Sequence, residues 1–224
     1  MKKFFTLAAF ALCALTLNAQ TTISFSEEKK AGSLNGQTVN SSLDGFNLTV
    51  TDTKGKVVVD SNNARFGTPE SNTSYTFRLK SGGKSSDANH MSIAIPASGT
   101  LQVCVRTRSS SATDRNLVLT QDGKELYNKV VQEADAAKMT LDDGTEGKVY
   151  PVVSVAVNKG TVDVTYPIGS LNFYAFTFST TAGLSSIQQD KTTTDDAVYN
   201  LAGQRVSKDS KGLVISKGKK ILKK

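Results

Sequence analysis

The sequence has no tryptophan, one histidine, two cysteines and four prolines in 224 residues. Without an indole to stack on sugar rings, a platform for a flat crystalline polymer is excluded, while a small pocket or a charged groove stays open. Cys13 lies in the N-terminal apolar stretch and leaves Cys104 alone in the body, so no intramolecular disulfide closes there and the fold must rest on its core. One His and one Cys cannot supply the ligand set of a zinc site, nor a nucleophile, base and orienting group. His90, just after "SGGKSSDAN", reads as a loop-edge side chain bonded to backbone or solvent, or else as a lone general base or metal ligand. Cys104 lies opposite Leu101, Val103 and Val105 with Gln102 and Arg106, and no local His or helix N-terminus activates it. It reads as a small filler.

Long apolar runs are also missing. The stretch Phe4 to Leu17 falls short of the roughly 20 residues that span a bilayer. With Lys2 and Lys3 before it and Ala19 at the expected cut, residues 1–19 read as a secretory signal peptide. Cys13 follows Leu12 in mid-run, unlike a lipidated Cys, which follows a small residue at the end of such a run. The mature chain is then expected to be extracellular or at the cell surface, with no transmembrane segment.

A basic surplus is present, but not where nucleic acid would need it. The formal charge is +7, of which residues 191–224 hold nine Lys/Arg against three Asp, while residues 20–190 hold 16 basic and 17 acidic side chains. Phosphate binding needs a basic face on the folded domain, so a nucleic-acid partner is excluded.

What is there is alternation with a period of two. "GFNLTV", "KVVVD", "YTFRLK", "MSIAI", "LQVCV", "NLVLT", "VVSVAV" and "VDVTY" each put apolar residues on one face, with Tyr75 and Tyr166 pointing inward. "LNFYAFTF" is apolar on both faces, as a central or sheet-switching strand would be. Asp122-Gly123 predicts a type I′ hairpin, since both central positions need φ > 0. "EADAAKM", Glu133 to Met139, is the single helix candidate, and a short one. Many short strands without interleaved helices predict an all-β, antiparallel, jelly-roll-like sandwich over residues 20–180. A Ser/Thr/Gln-rich linker follows at 181–196, then a short hairpin-type tail at 197–224 that is too small for a core of its own.

Three groups of residues could carry function. Arg78, Lys80, Arg106 and Arg108 fall at strand positions opposite the apolar ones or at strand ends, with Arg115 beyond. If those strands are neighbours, a cationic patch results that forks onto carboxylates, as of an acidic polysaccharide; outward charge is also the ordinary way to solvate a sheet. An aromatic plate for a sugar would have to come from Tyr75, Tyr127, Tyr150, Tyr166 or Tyr174, of which Tyr174 is taken with the arginines as a binding candidate. Asp142, Asp143 and Glu146 crowd a glycine turn and make a weak calcium candidate off the regular calcium-loop spacing, the other reading being a solvated acidic turn; no other cofactor is implied.

Two resemblances follow from these residues. Tyr199, Asn200, Leu201, Gly203, Gln204 and Val206, then Gly212 and the Gly218-Lys219-Lys220 ending, resemble the C-terminal sorting tail of the type IX (Por) secretion family of Bacteroidetes. That implies export machinery as a partner. Across residues 22–180, "FRLKSGG", "MSIAIPASGTLQVCVRTRSSSATDRNLVL" with Asp114-Arg115, "KGTVDVTYP" and "LNFYAFTF" resemble a β-sandwich accessory module found beside pectate lyases. It implies glycan binding without a catalytic residue. The expectation is a secreted, non-catalytic module for a polysaccharide or surface glycan; the alternatives are an adhesin-like structural protein and a polysaccharide lyase using Tyr with Arg or Lys.

Overall fold

The computed structural model describes residues 20–107, 109–180, 198–199, 205–207, 212–216 and 219–223. The expected signal peptide and linker lie outside them. The chain divides into two units, Met1–Ala182 and Gly183–Lys224.

In the first unit the strands are β1 Gln20–Ser24, β2 Gln37–Asn40, β3 Asn47–Asp52, β4 Val58–Gly67, β5 Asn72–Lys80, β6 Asn89–Ile95, β7 Gly99–Thr107, β8 Asn116–Gln121, β9 Lys124–Val130, β10 Ala137–Thr140, β11 Glu146–Tyr150, β12 Val153–Val157, β13 Gly160–Thr165 and β14 Leu171–Thr180. They form a β-sandwich. One sheet runs β10-β11-β4-β5-β14-β7-β12 with β1 also on β14, and the other runs β2-β3-β6-β13-β8-β9. All nine segments fall in strands or overlap them; eight have one face to bury, and "LNFYAFTF" has two. The Asp122-Gly123 turn joins β8 to β9 with φ of 51° and 74°, and Asp122 is the only non-glycine with positive φ among the described residues. β1, β2, β10 and β11 were not foreseen from alternation; the first three are mostly exposed, and all four carry little apolar pattern.

The main core lies between the sheets. Leu48 and Val50 of β3, Met91 and Ile93 of β6, Leu101 and Val103 of β7, Val162 and Val164 of β13, and Phe173, Phe176 and Phe178 of β14 are all fully buried in it. β14 is the central strand its composition suggested. One side pairs along its whole length with β7, while the other is shared between β5, at Asn172 and Phe173, and β1, from Ala175 to Ser179.

Three features depart from the expected pattern. β11 runs parallel to β4, pairing Val149 with Arg65 and Tyr150 with Phe66. "EADAAKM" is not a helix: Glu133–Asp135 is a single 3-10 turn and Ala137–Thr140 pairs with β11. Seven residues without an apolar stripe cannot support a helix, whereas a strand edge offers immediate pairing. Tyr75, expected to face the main core, instead joins a second cluster. A bulge in β4 between Ser61 and Ala64, opposite β5, adds local twist and turns this end of the hairpin away from the main core.

That second cluster comprises Ala64, Phe66, Cys104, Tyr150, Tyr174 and Ala175, with Tyr75 packed against it. It lies on the opposite face of β7 from Val103 and Val105, the face where alternation puts Cys104. Burial pushes the Cys104 thiol up to about 11, despite a hydrogen bond with Tyr75, so the group is a filler rather than a nucleophile at neutral pH.

The second unit holds β15 Val198–Tyr199, β16 Arg205–Val206, β17 Gly212–Ser216 and β18 Lys219–Lys223, in the antiparallel order β16-β15-β17-β18. The hairpin-type tail is therefore present. Tyr199, Val206, Gly212, Lys219 and Lys220 lie in its strands, while Asn200, Leu201, Gly203, Gln204 and Gly218 lie outside the described residues.

Candidate functional site

β5 and β7 both flank β14, so three strands that are separate in sequence become one surface. Lys80 pairs with Asn172 and Asn172 with Arg106, which sets the two cations in one row across the sheet. The Arg78 and Lys80 side chains close on Asp60 of β4. Arg78 Nε donates to Asp60 Oδ1 at 2.8 Å, and Lys80 Nζ lies 2.7 Å from Oδ2. These cations are spoken for. Partial burial draws the Asp60 carboxyl up, but the hydrogen bonds and charges of Arg78 and Lys80 outweigh it and hold the group below the usual carboxylate range.

The sign of that shift gives a prediction. A depressed carboxylate stabilises fully above its unfolded pKa, about 4, and loses the contribution as pH falls through the lower folded value. Thermal unfolding followed between pH 6 and pH 2 should show a loss of stability below pH 4 that is shallower in Asp60→Asn. Identical slopes in the two proteins would contradict the linkage.

Tyr174 sits at a bulge in β14, where pairing with β7 skips from Phe173 to Ala175. Its ring is fully buried, and its hydroxyl donates to Asn62 Oδ1 in the β4 bulge. Two bulges thus lock together through one phenol. Arg115 is elsewhere: its Nη1 donates to the Ile168 carbonyl at 3.3 Å and its guanidinium covers Gly169. Arg108 lies outside the described residues.

Arg106 is different. It makes no hydrogen bond or salt bridge among the described residues, and its Nε is buried without a partner. Its guanidinium lies 4.9 Å from the centroid of the Tyr150 ring. Together with Arg65, Lys148, Asn63, Ser74 and Tyr150, Arg106 lines a cleft of about 300 Å³ on the outer side of the larger sheet. No carboxylate lines it. Glu133, which feels the Arg106 charge, accepts from Lys148 Nζ at 3.0 Å and from the Tyr150 hydroxyl at 2.8 Å. Burial raises Glu133, but those bonds and the Arg106 charge prevail and keep it ionised. Arg65 has one long bond, 3.4 Å to Asn72 Oδ1.

The cleft therefore offers two guanidinium groups to an anion, Lys148 being paired with Glu133 as Lys80 is with Asp60, with an amide and a hydroxyl for neutral groups beside it. Sequence reasoning found Arg106, counted Tyr150 among the tyrosines that could face a sugar, and missed Arg65, Lys148, Asn63 and Ser74. They come together because β11 runs parallel to β4 and because β4 bulges at Asn62-Asn63, neither of which alternation reveals. The chemistry of proton abstraction is poorly served: burial and the Glu133 hydrogen bond push the Tyr150 phenol up, and burial does the same to Tyr75 and Tyr174.

The remaining sequence-level candidates take separate places. Asp143 accepts from the Thr145 amide and hydroxyl and Glu146 pairs with Lys138, so the acidic turn satisfies itself. Among the described residues no group of three or more His, Cys, Asp or Glu converges on a metal position. His90 Nδ1 lies 3.2 Å from the Ser86 carbonyl in a polar cleft with Asp163. No helix among the described residues is long and apolar enough to cross a membrane. Large apolar side chains exposed in the first unit are Val130 and Ile168 among the described residues.

No protein-family model and no curated protein matches the chain. Among solved structures it is similar to a chain from work on the Ruminococcus flavefaciens cellulosome and its expansion in glycan recognition, at 12% identity over 72% of this chain and 94% of that one, with a TM-score of 0.34. It is also similar to a carbohydrate-binding module of the Cellvibrio mixtus lichenase 5A in complex with cellotriose, at 14% identity over 69% and 97%, TM-score 0.26. A third is the catalytic unit of a GH87 alpha-1,3-glucanase from Streptomyces thermodiastaticus, at 9% identity over 61% and 26%, TM-score 0.33. At these identities and scores no residue role passes from those proteins to this chain.

Proposed function

We propose that the sandwich is a non-catalytic binding module for an acidic glycan, and that the cationic cleft on the outer side of its larger sheet receives a sugar carboxylate. The observation that carries this reading is Arg106, a cleft-lining guanidinium with no hydrogen bond or salt bridge among the described residues. The Nη groups of Arg106 have no hydrogen-bond partner among the described residues, and a carboxylate can accept from both at once. Tyr150 holds the guanidinium plane in place, so little ordering is left for the ligand to drive. Arg65 adds charge at the rim, and Asn63 and Ser74 of the same lining are available to ring hydroxyls. In the same reading, residues 1–19 export the chain and the basic tail addresses it to export machinery at the cell surface. The sequence pattern of those segments supports that part.

The test is calorimetric titration of the full chain with polygalacturonate and, as a neutral comparison, a β-1,4-linked glucose oligomer. Arg106→Ala should weaken polygalacturonate binding by about 10- to 100-fold, the value of a charge-assisted hydrogen bond. Arg106→Lys should recover only part of that, since an ammonium cannot fork. Arg115→Ala should change nothing. Absence of binding to any carboxylated polymer, or an unchanged affinity in a folded Arg106→Ala protein, would remove the proposal.

A further inference from the structure

A larger cleft, of about 460 Å³, opens where the end of β1 passes β2, away from Arg106 and its neighbours. Its apolar lining consists of Phe25, Leu34 and Val39, all three packed on the main core, so this side of the cleft is fixed in advance. Around that lining stand Ser24, Ser26, Gln37 and Thr38, whose side chains make no hydrogen bond among the described residues. The charged residues of the lining, Glu27 and Lys29, pair with each other and leave no net charge for an ion.

An apolar plate ringed by free, uncharged donors and acceptors is the complement of a pyranose, which has an apolar C–H face and a belt of hydroxyls. We infer that this cleft is a second carbohydrate site, for a neutral sugar stacked on Phe25. It is independent of the cationic cleft in residues and in chemistry: one site is built for charge and the other without it. A module with both sites would grip a polymer whose neutral and acidic stretches alternate, or two chains at once, and gain affinity from linkage. The competing occupant is an extended peptide added to the free edge of β2. That edge is four residues long, and Gln37, Thr38 and Asn40 on it are exposed and polar, which gives a peptide little to pair with or to bury.

The test is amide NMR of the isotope-labelled full chain with neutral hexasaccharides of β-1,4-linked glucose, xylose and mannose, and with polygalacturonate. At least one neutral hexasaccharide should shift the amides of Phe25, Gln37 and Thr38. Its affinity should fall about 10-fold in Phe25→Ala, stay unchanged in Arg106→Ala, and be insensitive to salt. Because Phe25 also packs on the core, Gln37→Ala is the second probe; its exposed amide can be removed without disturbing the fold, and a loss of several-fold is expected. The inference fails if none of the three sugars shifts these amides, if both variants bind as the parent does, or if only an extended peptide perturbs β2. Failure of polygalacturonate to bind would overturn the acidic-glycan proposal and leave this one standing.

Discussion

Replacing Phe173 by alanine is expected to destabilise the sandwich by about 3–5 kcal/mol, the usual range for deleting a buried phenyl ring. Phe173 is fully buried and its ring lies 5.7 Å from that of Phe176, nearly parallel, and 5.8 Å from that of Tyr166. Its backbone is fixed on both sides, to Leu79 of β5 and Val105 of β7. A strand held by two neighbours cannot shift to fill the space a lost ring leaves, so most of the cavity cost should persist. For a chain of this size each kcal/mol moves the midpoint by roughly 2–4 °C, and calorimetry should show a fall of about 6–20 °C. Phe173→Leu should cost less than half as much, because the leucine retains much of the volume. A loss below about 1 kcal/mol in the alanine variant would mean that β14 is not the rigid centre of the fold.

The identity of that centre was legible in sequence, and the reason is local. "LNFYAFTF" carries apolar residues on both faces, interrupted only by Asn172 and Thr177, which suits a strand covered on both sides. The same holds for β3, β6, β7, β8, β12 and β13, whose alternation depends on nothing outside the segment, and for Asp122-Gly123, whose φ angles follow from the two residues themselves. The cationic cleft was legible only in part. Arg106 could be placed opposite Val105 by counting, but its neighbours Arg65 and Lys148 lie about 40 positions to either side along the chain and meet it through the parallel β11–β4 pair. Register of that kind is set by non-local packing. Arg78 and Lys80 read as free outward cations for the same reason, since Asp60 faces them only once β4 and β5 pair. Tyr174 counts as outward by alternation, and it is the second cluster over its face that buries it.

Replacing Asp52 by alanine is expected to cost about 2–4 kcal/mol, although the residue belongs to neither proposed site. Its carboxylate is almost fully buried at the end of β3 and caps the turn to β4: Oδ1 accepts from the Lys56 amide and Oδ2 from the Val57 amide, each at 2.8 Å. Alanine leaves both amides without their acceptor. Val57 is fully buried, so water cannot replace its bond, and an orphaned buried amide costs about 1–3 kcal/mol. The turn has little freedom to find another partner. Gly55 sits at φ 60°, and the Lys56 carbonyl presses so close to Gly82 that a Cβ there would lie 2.4 Å from its oxygen. Asparagine is expected to rescue poorly, since its single carbonyl oxygen serves one amide while its NH₂ faces the other. Denaturant unfolding reads the free energy, and hydrogen exchange at the Val57 amide reads the mechanism. Exchange there should accelerate in Asp52→Ala well beyond what the global loss of stability explains. Unchanged protection of Val57 relative to the rest of the core would show that the carboxylate is not what holds this turn.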